Sequence, residues 1–118
     1  MKPKESEKTL EARLVREIEA RGGMALKYTS QFHRGIPDRI CLLPHGLVYF
    51  VELKSTGQKP TKLQEHAIKE ISARGFDCYV IDSTETLEGL VARIDWDQKF
   101  AFARFGQKID VKRNLICK

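Results

Sequence analysis

The chain has few cysteines, and what it lacks excludes several kinds of site. Its 118 residues include three cysteines, Cys41, Cys78 and Cys117, which are far apart and form no CxxC pair. The sequence therefore indicates neither a zinc ribbon nor a dithiol redox site. An odd number of cysteines fits a reducing compartment, and Cys41 and Cys78 lie in apolar segments, as small core residues do.

Long hydrophobic runs are also absent. No apolar segment approaches the roughly 20 residues that cross a membrane, and the Lys- and Glu-rich N-terminus does not resemble a signal peptide. We therefore expect one compact cytoplasmic domain without a membrane partner. The net charge of +5 favours polyanionic partners such as nucleic acid, although charge alone identifies none.

The hydrophobic periodicity predicts an α/β domain with the element order αβββαβα. Glycine pairs and single glycines end the predicted helices, and Ser83 is the expected N-cap of the third helix. The predicted helices cover residues 6–21, 61–74 and 83–94, and the predicted strands cover residues 24–29, 39–43, 47–53 and 76–81. The strands of the middle hairpin are apolar on both faces, which predicts a sheet covered on both sides.

Residues 1–94 form the predicted core, and residues 95–118 form a C-terminal extension. The extension contains four large aromatic residues among charged ones: Trp96, Phe100, Phe102 and Phe105. Large aromatic side chains are usually buried, so we expect them to close the core, with a dimer contact as the alternative.

The most informative segment is 35–54, which reads Gly-Ile-Pro-Asp-Arg, an apolar run, Pro-His-Gly and a second strand containing Val-Glu-Leu-Lys. In a hairpin centred on His45, Asp38 faces Glu52, because opposed residues of an antiparallel pair lie on one face. Lys54, two residues beyond Glu52, shares that face. The two carboxylates repel each other, and a bound cation would relieve this repulsion.

The register has one alternative. A three-residue loop sets Leu43 opposite Leu47, whereas a two-residue turn shifts the pairing by one. Asp38 would then no longer face Glu52 squarely, unless a bulge restored the alignment.

The first predicted helix adds a third carboxylate. Glu11 falls within the apolar stripe of this helix, where a carboxylate needs a partner, although a glutamate at the edge of the stripe is the simpler interpretation. Glu7 lies on the same face one turn earlier and is the alternative candidate for this third carboxylate. It could equally be a first-turn residue whose negative charge interacts favourably with the helix dipole. The metal site predicted at the hairpin favours a role for one of them as a further oxygen ligand.

Three carboxylates and a lysine form a suitable set for cutting a phosphodiester. Mg²⁺ and Mn²⁺ prefer oxygen ligands, so Asp38 and Glu52 would hold the ion, with the backbone carbonyl of Leu53 and with Glu11 directly or through water. The ion would polarise the phosphoryl oxygen and help to generate hydroxide. Lys54 would orient or deprotonate the attacking water and offset the growing negative charge.

Together these segments resemble the VRR-NUC (virus-type replication-repair nuclease) family of the PD-(D/E)xK nuclease superfamily. The resemblance extends from about residue 7 to residue 94. It rests on Leu10-Glu11, Gly22-Gly23, Ala25 to Lys27, residues 35–39, residues 50–54, Gln64 and residues 75–82.

This resemblance implies a restriction-endonuclease-like αβββαβ core, a central mixed sheet flanked by helices, and metal-dependent DNA cleavage. By this resemblance, Asp38, Glu52 and Lys54 occupy the family's catalytic positions. Glu11 occupies the position of the family's helical glutamate, and Gln64 occupies the position of the glutamine in the family's motif. It also implies a phage or prophage origin and branched DNA, such as four-way (Holliday) junctions, as substrate. A homodimer suits paired cuts in a symmetric substrate.

Three further residues are weaker candidates for DNA contacts. Lys27 resembles a family position that helps to hold the scissile phosphate. His33 and Arg34 lie in the loop before the motif, where solvated side chains are the usual outcome. The alternative functions are a nuclease acting on flap or linear DNA, a non-catalytic nucleic-acid-binding module, and a scaffold in which Glu52 and Lys54 form a surface ion pair.

Overall fold

The structure is a computed structural model that describes residues 4–28 and 34–105. The observed element order confirms the predicted αβββαβα arrangement. The helices are α1 (Glu7–Ala20), α2 (Lys62–Ala73) and α3 (Thr84–Phe105), and the strands are β1 (Met24–Lys27), β2 (Arg39–Leu43), β3 (Leu47–Leu53) and β4 (Asp77–Ile81).

Polar side chains at the N-termini determine where the helices begin. Ser6 caps α1 by accepting a hydrogen bond from the Thr9 N–H, and Thr61 caps α2 as part of a capping box. The hydroxyl of Ser83 accepts from the Thr86 N–H at 3.2 Å, which confirms the predicted cap of α3.

The four strands form one mixed sheet in the order β1-β2-β3-β4. The pairs β1–β2 and β2–β3 are antiparallel, whereas β3 and β4 are parallel. A parallel pair needs a crossover connection, which the segment containing α2 provides. The predicted mixed sheet flanked by helices is thus confirmed.

The turn between β2 and β3 fixes the register of the hairpin. Leu43 pairs with Leu47 across a three-residue turn, as the first of the two alternatives predicts. His45 and Gly46 both adopt left-handed backbone conformations, with φ of 70° and 75°. Extending the register by one residue beyond β2 sets Asp38 opposite Glu52.

One face of the sheet carries the hydrophobic core. Alternate residues of β2, β3 and β4 point to this face and pack against α1 and α3. The largest fully buried contributors from the helices are Leu10, Leu14, Ile18, Leu87, Leu90 and Ile94, and those from the sheet are Tyr49, Val51, Leu53 and Ile81.

The second face is only partly covered, which differs from the expectation of a sheet buried on both sides. Helix α2 packs near β4, and its Gln64 reaches Glu52 of β3. Towards the β1 edge, Met24, Leu26 and Leu42 remain 55%, 39% and 36% exposed. A single helix is too narrow to cover four strands, so this face of the sheet is open beside Glu52.

Helix α3 is longer than the sequence indicated, since it continues past Ile94 to Phe105. Trp96 and Phe100 are each 64% exposed, so the expectation that they close the core is wrong. They lie on the side of α3 opposite the buried Leu90 and Ile94. The side chains of Phe102 and Phe105, and residues 106–118, lie outside the described structure.

Within residues 4–28 and 34–105, no helix combines the length and the apolar character that crossing a bilayer requires.

We expect Gly23→Ala to lower the free energy of unfolding by about 1–3 kcal/mol, as overpacking does. A Cβ at Gly23 would lie 2.7 Å from the Leu42 carbonyl oxygen and 2.8 Å from the Ile18 side chain. Urea denaturation followed by circular dichroism measures the change. Gly57→Asn, at a position with open space around it, is the control and should cost less than about 1 kcal/mol. Equal losses in both variants would contradict the packing argument.

Candidate active site

The catalytic candidates meet where β2 begins and β3 ends. Asp38 immediately precedes β2, and its Oδ2 accepts a hydrogen bond of 2.9 Å from the Leu53 backbone N–H. This bond continues the pairing of the two strands beyond the last backbone pair. It fixes the Asp38 carboxylate beside the neighbouring residue Glu52 on β3.

Glu52 is a buried carboxylate with only one of its two oxygens satisfied. The residue is 2% exposed. Its Oε2 accepts a hydrogen bond of 2.8 Å from Gln64 Nε2 and lies 3.5 Å from the Lys54 ammonium. Its Oε1 is buried and has no hydrogen-bond partner. Such an atom is costly unless another group binds it.

The environment of Glu52 disfavours its ionised form. Burial, followed by the nearby negative charge of Asp38, raises the pKa of Glu52 to about 7, whereas Lys54 acts in the opposite direction. The two carboxylates are therefore close enough to repel. A carboxyl group whose pKa is raised by burial and by a second carboxylate is a candidate functional residue.

The donor set fits a hard divalent cation. The free Glu52 oxygen and the adjacent Asp38 carboxylate are the kind of ligand that Mg²⁺ and Mn²⁺ prefer. Within the described ranges, no group of three or more His, Cys, Asp or Glu side chains lies close enough together to hold a metal. Mg²⁺ commonly binds through one or two carboxylates, with water and substrate phosphate as further ligands.

Gln64 links the site to the start of α2. Its Oε1 accepts a hydrogen bond of 2.8 Å from the Thr61 N–H in the capping box, while its Nε2 donates to Glu52. One amide thus both caps the helix and orients the buried carboxylate.

Gly35 holds the loop before Asp38 against the first turn of α2. A Cβ there would lie 2.5 Å from the Leu63 carbonyl oxygen, and the φ of 81° also favours glycine. The loop that leads to Asp38 therefore contacts α2, the helix whose Gln64 donates a hydrogen bond to Glu52.

Glu11, the predicted helical glutamate, pairs with Arg39 in this structure. Glu11 Oε2 accepts from Arg39 Nε at 3.2 Å and from Nη2 at 2.9 Å, while Arg39 Nη1 donates to the Ala25 carbonyl. Arg39 follows Asp38 and points to the opposite face of the sheet, towards α1. Its rival Glu7 is exposed, and its backbone N–H donates to the Ser55 hydroxyl just after Lys54.

The structure therefore brings together four of the candidates, Asp38, Glu52, Lys54 and Gln64, and leaves Glu11 paired on the other face. Leu53 joins the group through its backbone N–H. The metal role of Glu11 stays a prediction.

Of the candidates for DNA contacts, Lys27 and Arg34 are exposed, and His33 lies outside the described residues. No sequence motif points to Tyr28, whose N–H donates to the Asp38 carbonyl at 3.2 Å. This pairing sets Tyr28 opposite Asp38, and Tyr28 is 43% exposed. Only the register between β1 and β2 could have revealed it, because Tyr28 belongs to no motif.

Comparisons with known proteins find nucleases similar to this chain. No family model matches the chain. A curated relative, "Putative nuclease p44" of Acyrthosiphon pisum secondary endosymbiont phage 1, is 43% identical over 81 residues, which are 67% of this chain and 85% of the relative. A solved structure described as "VRR_NUC domain" superposes with a TM-score of 0.70 at 26% identity, covering 75% of this chain and 97% of that one.

We expect Glu52→Gln to stabilise the protein at about pH 8 and to have little effect at about pH 5. Because the pKa of Glu52 is raised from 4.5 to about 7, the folded state binds a proton more readily than the unfolded state between these values. Wild-type stability therefore falls as the pH rises from 4.5 to about 7, by at most about 3 kcal/mol. The amide removes this loss.

Urea denaturation without divalent metal across this pH range measures the effect. Glu19→Gln, at an exposed position, is the control and should change stability little at any pH. A destabilised Glu52→Gln protein at about pH 8 would contradict the burial argument.

Proposed function

The chain belongs to the VRR-NUC family of nucleases, and from this premise we propose that it is an endonuclease that hydrolyses DNA phosphodiester bonds with the help of a divalent metal. The observation that carries this proposal is the buried, unsatisfied Oε1 of Glu52 beside Asp38. A protein that only binds DNA gains nothing from two repelling carboxylates near phosphate. A scaffold gains nothing from a buried oxygen without a partner.

Mg²⁺ or Mn²⁺ would be held by Asp38 and Glu52, with the Leu53 carbonyl as a further ligand. A bound ion supplies Lewis-acid polarisation of the phosphoryl group and lowers the pKa of water. Two hydrogen bonds hold these carboxylates: Gln64 donates to one oxygen of Glu52, and the Leu53 N–H donates to Asp38. Both ligands are thus in position before the substrate binds.

Lys54 would act on the attacking water and on the phosphate. Its ammonium lies 3.5 Å from Glu52 Oε2, and its side chain is 17% exposed, so it is held at the site but is accessible. From there it would orient or deprotonate the water and offset the charge that develops on the phosphate. Glu11 would complete the metal site only after release from Arg39, and Glu7 is the alternative carboxylate.

The proposed substrate is branched DNA, such as a four-way junction, cut by a homodimer. A small domain has little surface with which to read a long base sequence, which favours recognition of DNA shape and backbone. The exposed Lys27 and Arg34 would contact phosphates, and His33, which precedes Arg34 in the sequence, is a further candidate. Flap or linear DNA is the alternative substrate.

We expect Asp38→Ala, Glu52→Ala and Lys54→Ala each to reduce cleavage by at least about 10³-fold, because each removes a metal ligand or the group that handles charge and water. The assay compares junction, flap and linear DNA with Mg²⁺, Mn²⁺ or EDTA. DNA affinity at fixed salt should change little.

Calorimetric titration with Mn²⁺ gives a readout that does not depend on activity, and binding should be lost in the Asp38 and Glu52 variants. Glu11→Ala and Glu7→Ala tested alongside identify the helical carboxylate. Unimpaired cutting by Glu52→Ala, or cutting in EDTA, would overturn the mechanism. A strong preference for one linear sequence over a junction would overturn the substrate proposal.

We expect Tyr28→Ala to weaken DNA binding by about 1–3 kcal/mol, the range found when a stacking aromatic is removed. Tyr28 lies opposite Asp38 with its ring partly exposed, so an unstacked base beside the scissile phosphate would contact it. Tyr28→Phe keeps the ring and should bind nearly as the wild type. Binding is measured by fluorescence anisotropy with Ca²⁺ in place of Mg²⁺, and equal loss in both variants would show that the ring itself is not used.

A further inference from the structure

The segment that connects β3 to α2 is basic and contains no acidic residue. Residues 53–64 include three lysines, Lys54, Lys59 and Lys62, and no Asp or Glu. Lys59 and Lys62 are exposed, and neither forms an ion pair within the described part of the chain. Positive charge that no carboxylate neutralises favours a polyanionic partner.

This segment begins and ends at the candidate active site. The Lys54 ammonium lies 3.5 Å from Glu52, and Gln64 donates a hydrogen bond of 2.8 Å to the same carboxylate. Residues 55–63 therefore leave the site and return to it. The loop that contains Arg34, which is already a proposed phosphate contact, packs against the first turn of α2. The two lysines thus extend a basic surface that reaches the catalytic residues.

Hydrogen bonds hold the backbone of the segment in place. The Thr56 N–H donates to the Glu5 carbonyl at 3.1 Å, and the Thr56 hydroxyl accepts from the Glu5 N–H at 3.0 Å. The same hydroxyl donates to the Asp82 carbonyl at 2.8 Å. Pro60 favours an extended backbone at the preceding Lys59, and the capping box fixes the start of α2. A backbone that is already ordered lowers the entropy cost of binding.

Lys62 does not contribute to the stability of its own helix. It is the first residue of α2, where the partial positive charge of the helix N-terminus interacts unfavourably with a cation. Its side chain is exposed, so it does not fill the core. A residue that opposes the local stability rules without a compensating contact is expected at a functional position.

We propose that Lys59 and Lys62 bind neighbouring backbone phosphates of the DNA strand that passes over the active site, beside the scissile phosphate. This inference rests on the proposed function, because it takes DNA as the partner, and it assigns a further phosphate-binding surface to that DNA. Phosphate contacts fix the register of a strand and carry no sequence information. The two lysines would therefore hold the strand against Glu52 and Lys54 whatever its sequence.

The salt dependence of DNA binding tests this proposal. Affinity for a fluorescent four-way junction is measured by anisotropy in EDTA, from about 50 to 300 mM KCl. Lys59→Gln and Lys62→Gln should each reduce the slope of log K against log salt by about 0.9, and the double variant by about 1.8. Each single change should weaken binding about five- to tenfold at about 0.1 M salt. Lys99→Gln is the matched control and should leave the slope unchanged, because Lys99 is exposed on α3, which packs on the core face of the sheet.

Two further measurements separate charge from folding. Lys59→Arg and Lys62→Arg keep the positive charge and should keep the slope. Neither glutamine variant should lower the midpoint of urea denaturation, because both side chains are exposed and Lys62 opposes the helix dipole.

An unchanged slope in either glutamine variant, or an equal fall in Lys99→Gln, would contradict the proposal. Since EDTA prevents metal binding, the slopes do not depend on cutting. Unchanged slopes together with metal-dependent cleavage would remove these two contacts and leave the nuclease proposal standing. The expected slopes in a protein that does not cut with Mg²⁺ or Mn²⁺ would support the contacts and contradict the nuclease proposal.

Discussion

The hydrogen bond from the Leu53 backbone N–H to Asp38 Oδ2 is the constraint on which the site depends. It extends the β2–β3 register beyond the strands themselves and brings Asp38 beside Glu52. In water two carboxylates would move apart, but here the backbone prevents this, and burial strengthens their repulsion. The unfavourable contact persists because the rest of the hairpin and the core behind it supply the stability that it costs.

The two faces of the sheet have different roles: one packs the core, and the other holds the candidate active site. The face of the sheet beneath α1 and α3 carries the buried apolar core, whereas the face near α2 holds Glu52 and Gln64 and stays partly open. Because side chains alternate along a strand, adjacent residues serve different purposes: Asp38 faces the site, and Arg39 pairs with Glu11 on the other side. A slip of one residue would exchange these roles, which explains the importance of the turn at His45 and Gly46.

Much of the fold could be predicted from local chemistry. The Pro-His-Gly turn and the strands around it gave the correct register, and Ser83 gave the correct cap, because turns and caps depend on neighbours in sequence. The Glu11–Arg39 pair and the Gly35–Leu63 contact could not be predicted, because they join residues that only the tertiary fold brings together. The exposure of Trp96 was missed because aromatic residues are usually buried, and Trp96 lies on the side of α3 that faces away from the core.

The double use of Gln64 has a consequence for the proposed metal site. One amide caps the start of α2 and restrains Glu52, so that carboxylate cannot swing outward without losing the hydrogen bond from Gln64. Asp38 and Glu52, the proposed metal ligands, are therefore each held by a hydrogen bond from the scaffold. Ligands restrained in this way would suit a small cation with strict octahedral geometry better than a large cation that takes many ligands in irregular shells.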